Sequence, residues 1–199
     1  MKAIGRSPLA LLFLLGSLGS YAADAPINAY DDAAPSKAFL ACLDLKKNSQ
    51  SAEALLCFAD LVKKPNATPI QEKIYAYRML ADISAGEGDL HFARDILVHA
   101  LKEIPDSTDL QFVLCRILYL EKKYETAIGV CNKGFSMLDS NRKAGNDLHL
   151  QALITVGDSY MELGKRDAAQ RAYEALAYSN LQEFRLIGEK RIAALKASM

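Results

Sequence analysis

Residues 77 to 105 read YRMLADISAGEGDLHFARDILVHALKEIP, and this stretch constrains the chain more than any other. Leu90, Ala93, Ile96, Leu97, Ala100, Leu101 and Ile104 recur at i, i+3 and i+4, the spacing of one helix face, until Pro105 stops the run. A helical stretch ending near Ala85 precedes it, and Gly86-Glu87-Gly88-Asp89 turns the chain between the two. Two helices joined by so short a turn must lie antiparallel, with their apolar faces together.

The same grammar runs through the chain. Phe39, Leu40 and Leu43 open a helix that Asn48-Ser49-Gln50 breaks; Ser51 is the expected cap of a second one, with Leu55, Phe58, Ala59 and Val62 on one side. Thr68-Pro69-Ile70-Gln71 is expected to open the next helix as a capping box, and Asn66-Ala67-Thr68 also spells a glycosylation acceptor. Asp106 to Asp109 caps a helix ending near Lys122, and Tyr124 to Leu138 is its partner. A polar loop, residues 139–146, leads to a pair over His149–Leu163 and Arg166–Tyr178. Ser179-Asn180 caps a final helix with Phe184, Ile187, Ile192 and Leu195 on its apolar side. No stretch alternates with period 2 long enough for a strand, so the expected class is all-α, with about nine helices.

The N-terminus has a different character. Lys2 and Arg6 precede the apolar run Leu9–Leu15, and Ser20-Tyr21-Ala22 supplies small residues at a cleavage site. This is the pattern of an exported chain whose residues 1–22 are removed, leaving a leader over 23–35. The apolar run is too short to span a bilayer, which takes about 20 residues, and no Cys stands near it to carry a lipid anchor. The expected location is the periplasm. Without residues 1–22 the chain has 22 basic and 24 acidic residues and no basic cluster, which argues against nucleic acid and anionic membrane as partners. Cys42, Cys57, Cys115 and Cys131 all lie in the mature part. An even number in an exported chain suggests two disulfides; three pairings are possible, and four buried free thiols are the alternative.

Three of the helix pairs can be overlaid. The first aligns Tyr77, Leu80, Ala81 and Ser84 with Ala93, Leu97 and Pro105; the second Gln111, Leu114, Cys115 and Leu118 with Ala127 and Cys131; the third Leu153, Val156, Gly157 and Tyr160 with Ala169 and Tyr173. Ala93 and Ala127 are 34 residues apart, and Ala127 and Ala169 are 42 apart, one period plus an eight-residue insertion. The pattern resembles the tetratricopeptide (TPR) repeat. The resemblance covers about residues 74 to 178 and implies a short α-solenoid over residues 68–199, closed by a capping helix. It places small residues where paired helices cross: Ala81 with Ala93, Cys115 with Ala127, Gly157 with Ala169. It also implies a cysteine pairing, because Cys115 takes the small slot and Cys131 the facing aromatic slot. Cys42 and Cys57 stand in the same relation, so residues 36–64 read as a degenerate N-terminal pair with its own bridge. The Sel-like repeat is the runner-up, but its longer Gly-rich turn is missing.

In this family the first helix of each pair lines a concave groove that holds protein segments. The residues so placed are Tyr75, Arg78 and Asp82, then Phe112, Arg116 and Tyr119, then Gln151, Ile154, Asp158 and Met161. Their aromatic and arginine content suits an interface. They line an open groove, or the N-terminal pair and final helix fold over them and the protein is a structural subunit of an envelope complex. The family's basic clamp for C-terminal carboxylates is not reproduced. No cofactor, metal or catalysis is expected: no Cys has a second ligand at metal spacing, the glycines spell no phosphate loop, and His91, His99 and His149 read as solvated. Gly129 and Gly134 fall inside a helix, where close packing is the expected reason.

Overall fold

Each helix pair is closed by the same turn. The computed structural model describes residues 34–64, 68–138 and 147–197. The residues read as an export signal, most of those read as a leader, Asn66 and Ala67 of the acceptor sequence, and residues 139–146 lie outside the described residues. Pro35–Met199 forms one unit. Its described helices are α1 (Lys37–Lys47), α2 (Ser51–Lys63), α3 (Ile70–Gly86), α4 (Leu90–Glu103), α5 (Thr108–Leu120), α6 (Tyr124–Ser136), α7 (Asp147–Glu162), α8 (Arg166–Ala177) and α9 (Gln182–Ala197). No strand occurs among the described residues.

The turns carry the repeat. Ser49, Gly88, Lys122 and Gly164 adopt positive φ (59°, 91°, 62° and 71°), one after the first helix of each pair. The next residue's N–H donates to the carbonyl five positions back: Gln50 to Leu45, Asp89 to Ser84, Lys123 to Leu118 and Lys165 to Tyr160, at 2.8–3.0 Å. This is a Schellman close, which satisfies the otherwise orphaned last carbonyls. The same close at Ser49 joins α1 to α2.

Consecutive helices pack throughout, and the first helices of successive pairs also touch, α3 on α5 and α5 on α7. Most of α5 is buried, from Thr108 to Cys115 and again at Ile117 and Leu118. The small slots are filled as the resemblance implies: Ala81, Ala93, Cys115, Ala127 and Ala169 are fully buried. A β-carbon on Gly157 would lie 2.3 Å from the Tyr173 ring, so only glycine fits that crossing. Cys42–Cys57 and Cys115–Cys131 are at disulfide distance, with Cα separations of 5.4 and 5.3 Å, within the range a bridge requires.

Several local expectations are corrected. Ser51 is the first residue of α2, whose cap Gln50 makes no side-chain bond. Thr68 does not cap α3; its hydroxyl donates to the Leu61 carbonyl at 2.9 Å, tying the end of α2 to the next pair. Gly134 does permit close packing, since a β-carbon there would meet the Phe112 ring at 2.7 Å, but Gly129 has nothing within 4 Å. His149 is half-buried against Phe112 and Phe135 rather than solvated, with ring centroids 6.0 and 5.1 Å away. Burial lowers its pKa.

Candidate partner-binding face

Helices α3, α5 and α7 present the residues that the repeat register assigns to an inner face. Their spacing brings acids and arginines of successive helices together. Arg78 Nη1 donates to Asp109 Oδ2 at 3.0 Å, with both side chains nearly buried. Arg116 pairs with Asp82 across the same two helices. Arg191 of α9 donates to Asp158 Oδ2 at 3.0 Å, and the Tyr173 hydroxyl donates to Asp158 Oδ1 at 2.6 Å. Asp158 is 8 % exposed. Its desolvation raises its pKa against the pull of Arg191 and Tyr173. The row is therefore a ladder of paired charges rather than an open apolar trough. Its remaining polar capacity is small; Arg78 Nε is buried without a hydrogen-bond partner among the described residues.

The aromatic members are covered to different degrees. Tyr75 lies under the N-terminal pair, its ring 5.2 Å from Phe39 and 6.4 Å from Phe58, with the Arg78 guanidinium 5.5 Å from its own centroid. Phe112 is 3 % exposed and packs on Phe135 at 5.1 Å. It is corrected from groove to core, because α7 and the end of α6 close over it. Ile154 and Met161 are half-buried, with one edge packed beside Leu176 and Phe184 and beside Tyr173 and Leu195. Tyr119 is half-buried, 5.7 Å from the Tyr124 ring. Burial, then the charges of Asp158 and Glu162, push its hydroxyl up to about 12. Gln151 is half-buried on the same side of α7. Tyr75, Arg78, Asp82, Arg116, Tyr119, Gln151, Ile154 and Met161 are half-buried and keep part of their surface in solvent, whereas Phe112 and Asp158 are buried.

Low sequence identity conceals a structural likeness over most of the chain. Two crystal structures of nearly identical TPR-like repeats, assigned to a putative kinesin light chain of Podosopora anserina, superpose with TM-scores of 0.59 and 0.60 at 15 % and 16 % identity. The second is a point-substituted form of that protein. Both matches cover 79 % of this chain, and 83 % and 82 % of theirs. The chain has a TPR-like fold. No protein-family model and no curated protein matches the sequence.

Within that fold, three members of the inner face escape a reading of the sequence. Asp109 reads as part of a cap, Arg191 as part of a C-terminal basic group, and His149 as solvated. The first two leave a faint signal: Arg78–Asp109 and Asp158–Arg191 are separated by 31 and 33 residues, close to the 34 of Asp82–Arg116 and hence to one repeat period. Among the described residues no cluster of His, Cys, Asp and Glu could hold a metal ion. Nor is any described helix long and apolar enough to cross a membrane.

Proposed function

We propose that this protein is a protein-interaction scaffold of the cell envelope, exported to the periplasm through cleavage after Ala22 or Ala23. It holds a protein segment along the inner row, over the Arg78–Asp109 and Asp82–Arg116 pairs, with Tyr119 and Gln151 as flanking contacts. The observation carrying this reading is the partly exposed ladder of arginine–aspartate pairs on a TPR-like fold. Such pairs can exchange a partner across the interface for one within the chain, which gives register and specificity more than bulk affinity. Two bridged cysteine pairs fit the oxidising compartment that export would reach.

A photo-crosslinking residue at Gln151, compared with one at the exposed Val98 of α4, tests the assignment in the exporting cell. A partner should crosslink at position 151 and not at 98, and Asp82→Arg should abolish the adduct while the protein accumulates normally. The second reading is a structural subunit, and the covering of Tyr75, Phe112 and Asp158 favours it. It would be supported by adducts confined to position 98 and the ends of the solenoid. N-terminal sequencing of the exported protein checks the cleavage site.

A further inference from the structure

Away from the inner row, α2, α3 and α4 line an open cleft with a cavity volume of about 380 Å³. Its apolar wall comes from Val62, Leu80 and Ile96, one residue from each helix. The opposite side is polar and centred on Glu103. Lys73 Nζ lies 2.6 Å from Glu103 Oε2, and the Tyr77 hydroxyl donates to the same oxygen at 3.0 Å. His99 Nε2 stands 3.3 Å from Oε1. The Lys73 hydrogen bond, then that of Tyr77, holds the Glu103 carboxyl below its usual range. Lys63 stands at the rim with its side chain 75 % exposed.

The balance of donors decides what such a cavity can take. Glu103 already accepts from Lys73 and Tyr77 and has His99 beside it, so it offers little to an incoming cation. Lys73 is nine-tenths buried, yet an ammonium has three N–H donors and Glu103 occupies one. Lys63 has its nearest acid, Asp60, 3.9 Å away. The lining thus holds two ammonium groups and one carboxylate beside an aliphatic wall, with the Asp60 carboxylate near the exposed Lys63 but outside the lining. A peptide strand would lay main-chain N–H and C=O groups against Val62, Leu80 and Ile96, where nothing can pair with them. An inorganic anion would leave that wall unused. The volume falls in the range of small-molecule sites, roughly 300 to 1,000 Å³.

We propose that this cavity binds a small amphiphilic carboxylate, an aliphatic chain ending in one carboxyl group. The chain lies against Val62, Leu80 and Ile96, and the carboxylate meets Lys63 and Lys73. The site is separate from the inner row and does not depend on the segment-binding reading.

Decanoate, decan-1-ol and decylamine, each below its aggregation concentration, are titrated calorimetrically into the oxidised full mature chain. Decanoate should bind saturably at one site, with the alcohol about tenfold weaker and the amine weaker still, since a charge-assisted hydrogen bond is lost. Lys63→Glu, at an exposed position, should weaken decanoate by at least about tenfold without shifting the melting temperature. Ile96→Glu should abolish binding, with circular dichroism confirming that the helices remain. Tyr178→Ala, at a distant exposed residue, should change nothing. Equal affinity for the three probes, absence of saturable heat, or full decanoate affinity in Lys63→Glu would each overturn the proposal.

Discussion

Replacing Phe112 by alanine separates a core residue from a groove residue. The ring is 3 % exposed and rests on Phe135 and His149, and Gly134 leaves space for its edge. Truncation removes the transfer energy of a buried ring and leaves a cavity, a cost of about 3–5 kcal/mol. With a urea m-value near 2 kcal/mol/M, the midpoint should fall by about 2 M. Gly134 supplies an internal control. In wild-type background, Gly134→Ala drives a β-carbon to 2.7 Å from Phe112 Cε1, 3.0 Å from Cδ1 and 3.3 Å from Gln111 Cβ. That overpacking outweighs the better helix propensity of alanine, for a net loss of about 1–2 kcal/mol. In the Phe112→Ala background the ring clash is gone and only the Gln111 Cβ contact at 3.3 Å remains, so the same change should be neutral or gain up to about 0.5 kcal/mol. The cycle therefore has a coupling energy of about 2 kcal/mol, well above the scatter expected of independent sites. Urea unfolding of the four proteins, followed by far-ultraviolet dichroism without reductant, measures it. A loss below about 1 kcal/mol for Phe112→Ala, or no coupling with Gly134, would refute the assignment of Phe112 to the core.

Further predictions use other features of the same helices. Gly129→Ala, in the same helix as Gly134 but facing open space, should stabilise by about 0.5–1 kcal/mol in the same urea assay. Lys122→Gly, at a non-glycine residue with φ 62°, should raise the urea midpoint by a few tenths to about 1 kcal/mol equivalent, because the left-handed strain is relieved. Each disulfide closes a loop of 15 or 16 residues, so removing either pair by double Cys→Ala should cost about 3 kcal/mol. On mild reduction, mass spectrometry after alkylation should find Cys42–Cys57 opened first, since Cys57 is half-buried whereas Cys115 and Cys131 are fully buried. His149 is held more neutral when folded than when unfolded. Its contribution is therefore intact above about pH 6.5 and is lost as pH falls toward its lower folded pKa. Stability profiles between pH 7.5 and 5 should be flatter in His149→Phe than in wild type.

Much of the architecture is legible in the linear chain because it rests on local rules. Helical spacing from Leu90 to Ile104, the turn at Gly88 and the stop at Pro105 need no knowledge of neighbours. Small residues at 81, 93, 127, 157 and 169 announce helix crossings, because only a small side chain lets two backbones approach. The pairing of Cys115 with Cys131 comes instead from the resemblance to the TPR repeat, and the structure has the two at disulfide distance. Helix starts at Ser51 and Thr68 are harder to read, since a capping side chain has alternatives; Thr68 satisfies Leu61 instead. The inner face is legible only as a set of positions. Whether a position is open depends on which distant helix covers it. Phe39 and Phe58 cover Tyr75, α7 closes over Phe112, and α9 supplies Arg191 to Asp158. Helix formation follows from neighbours three and four residues away, so the sequence alone determined the pairs, their turns and their repeat. Exposure, ion pairing and the Glu103 cavity depend on groups about 26 to 36 residues apart meeting at a particular interhelical rotation, and only the tertiary structure decided those.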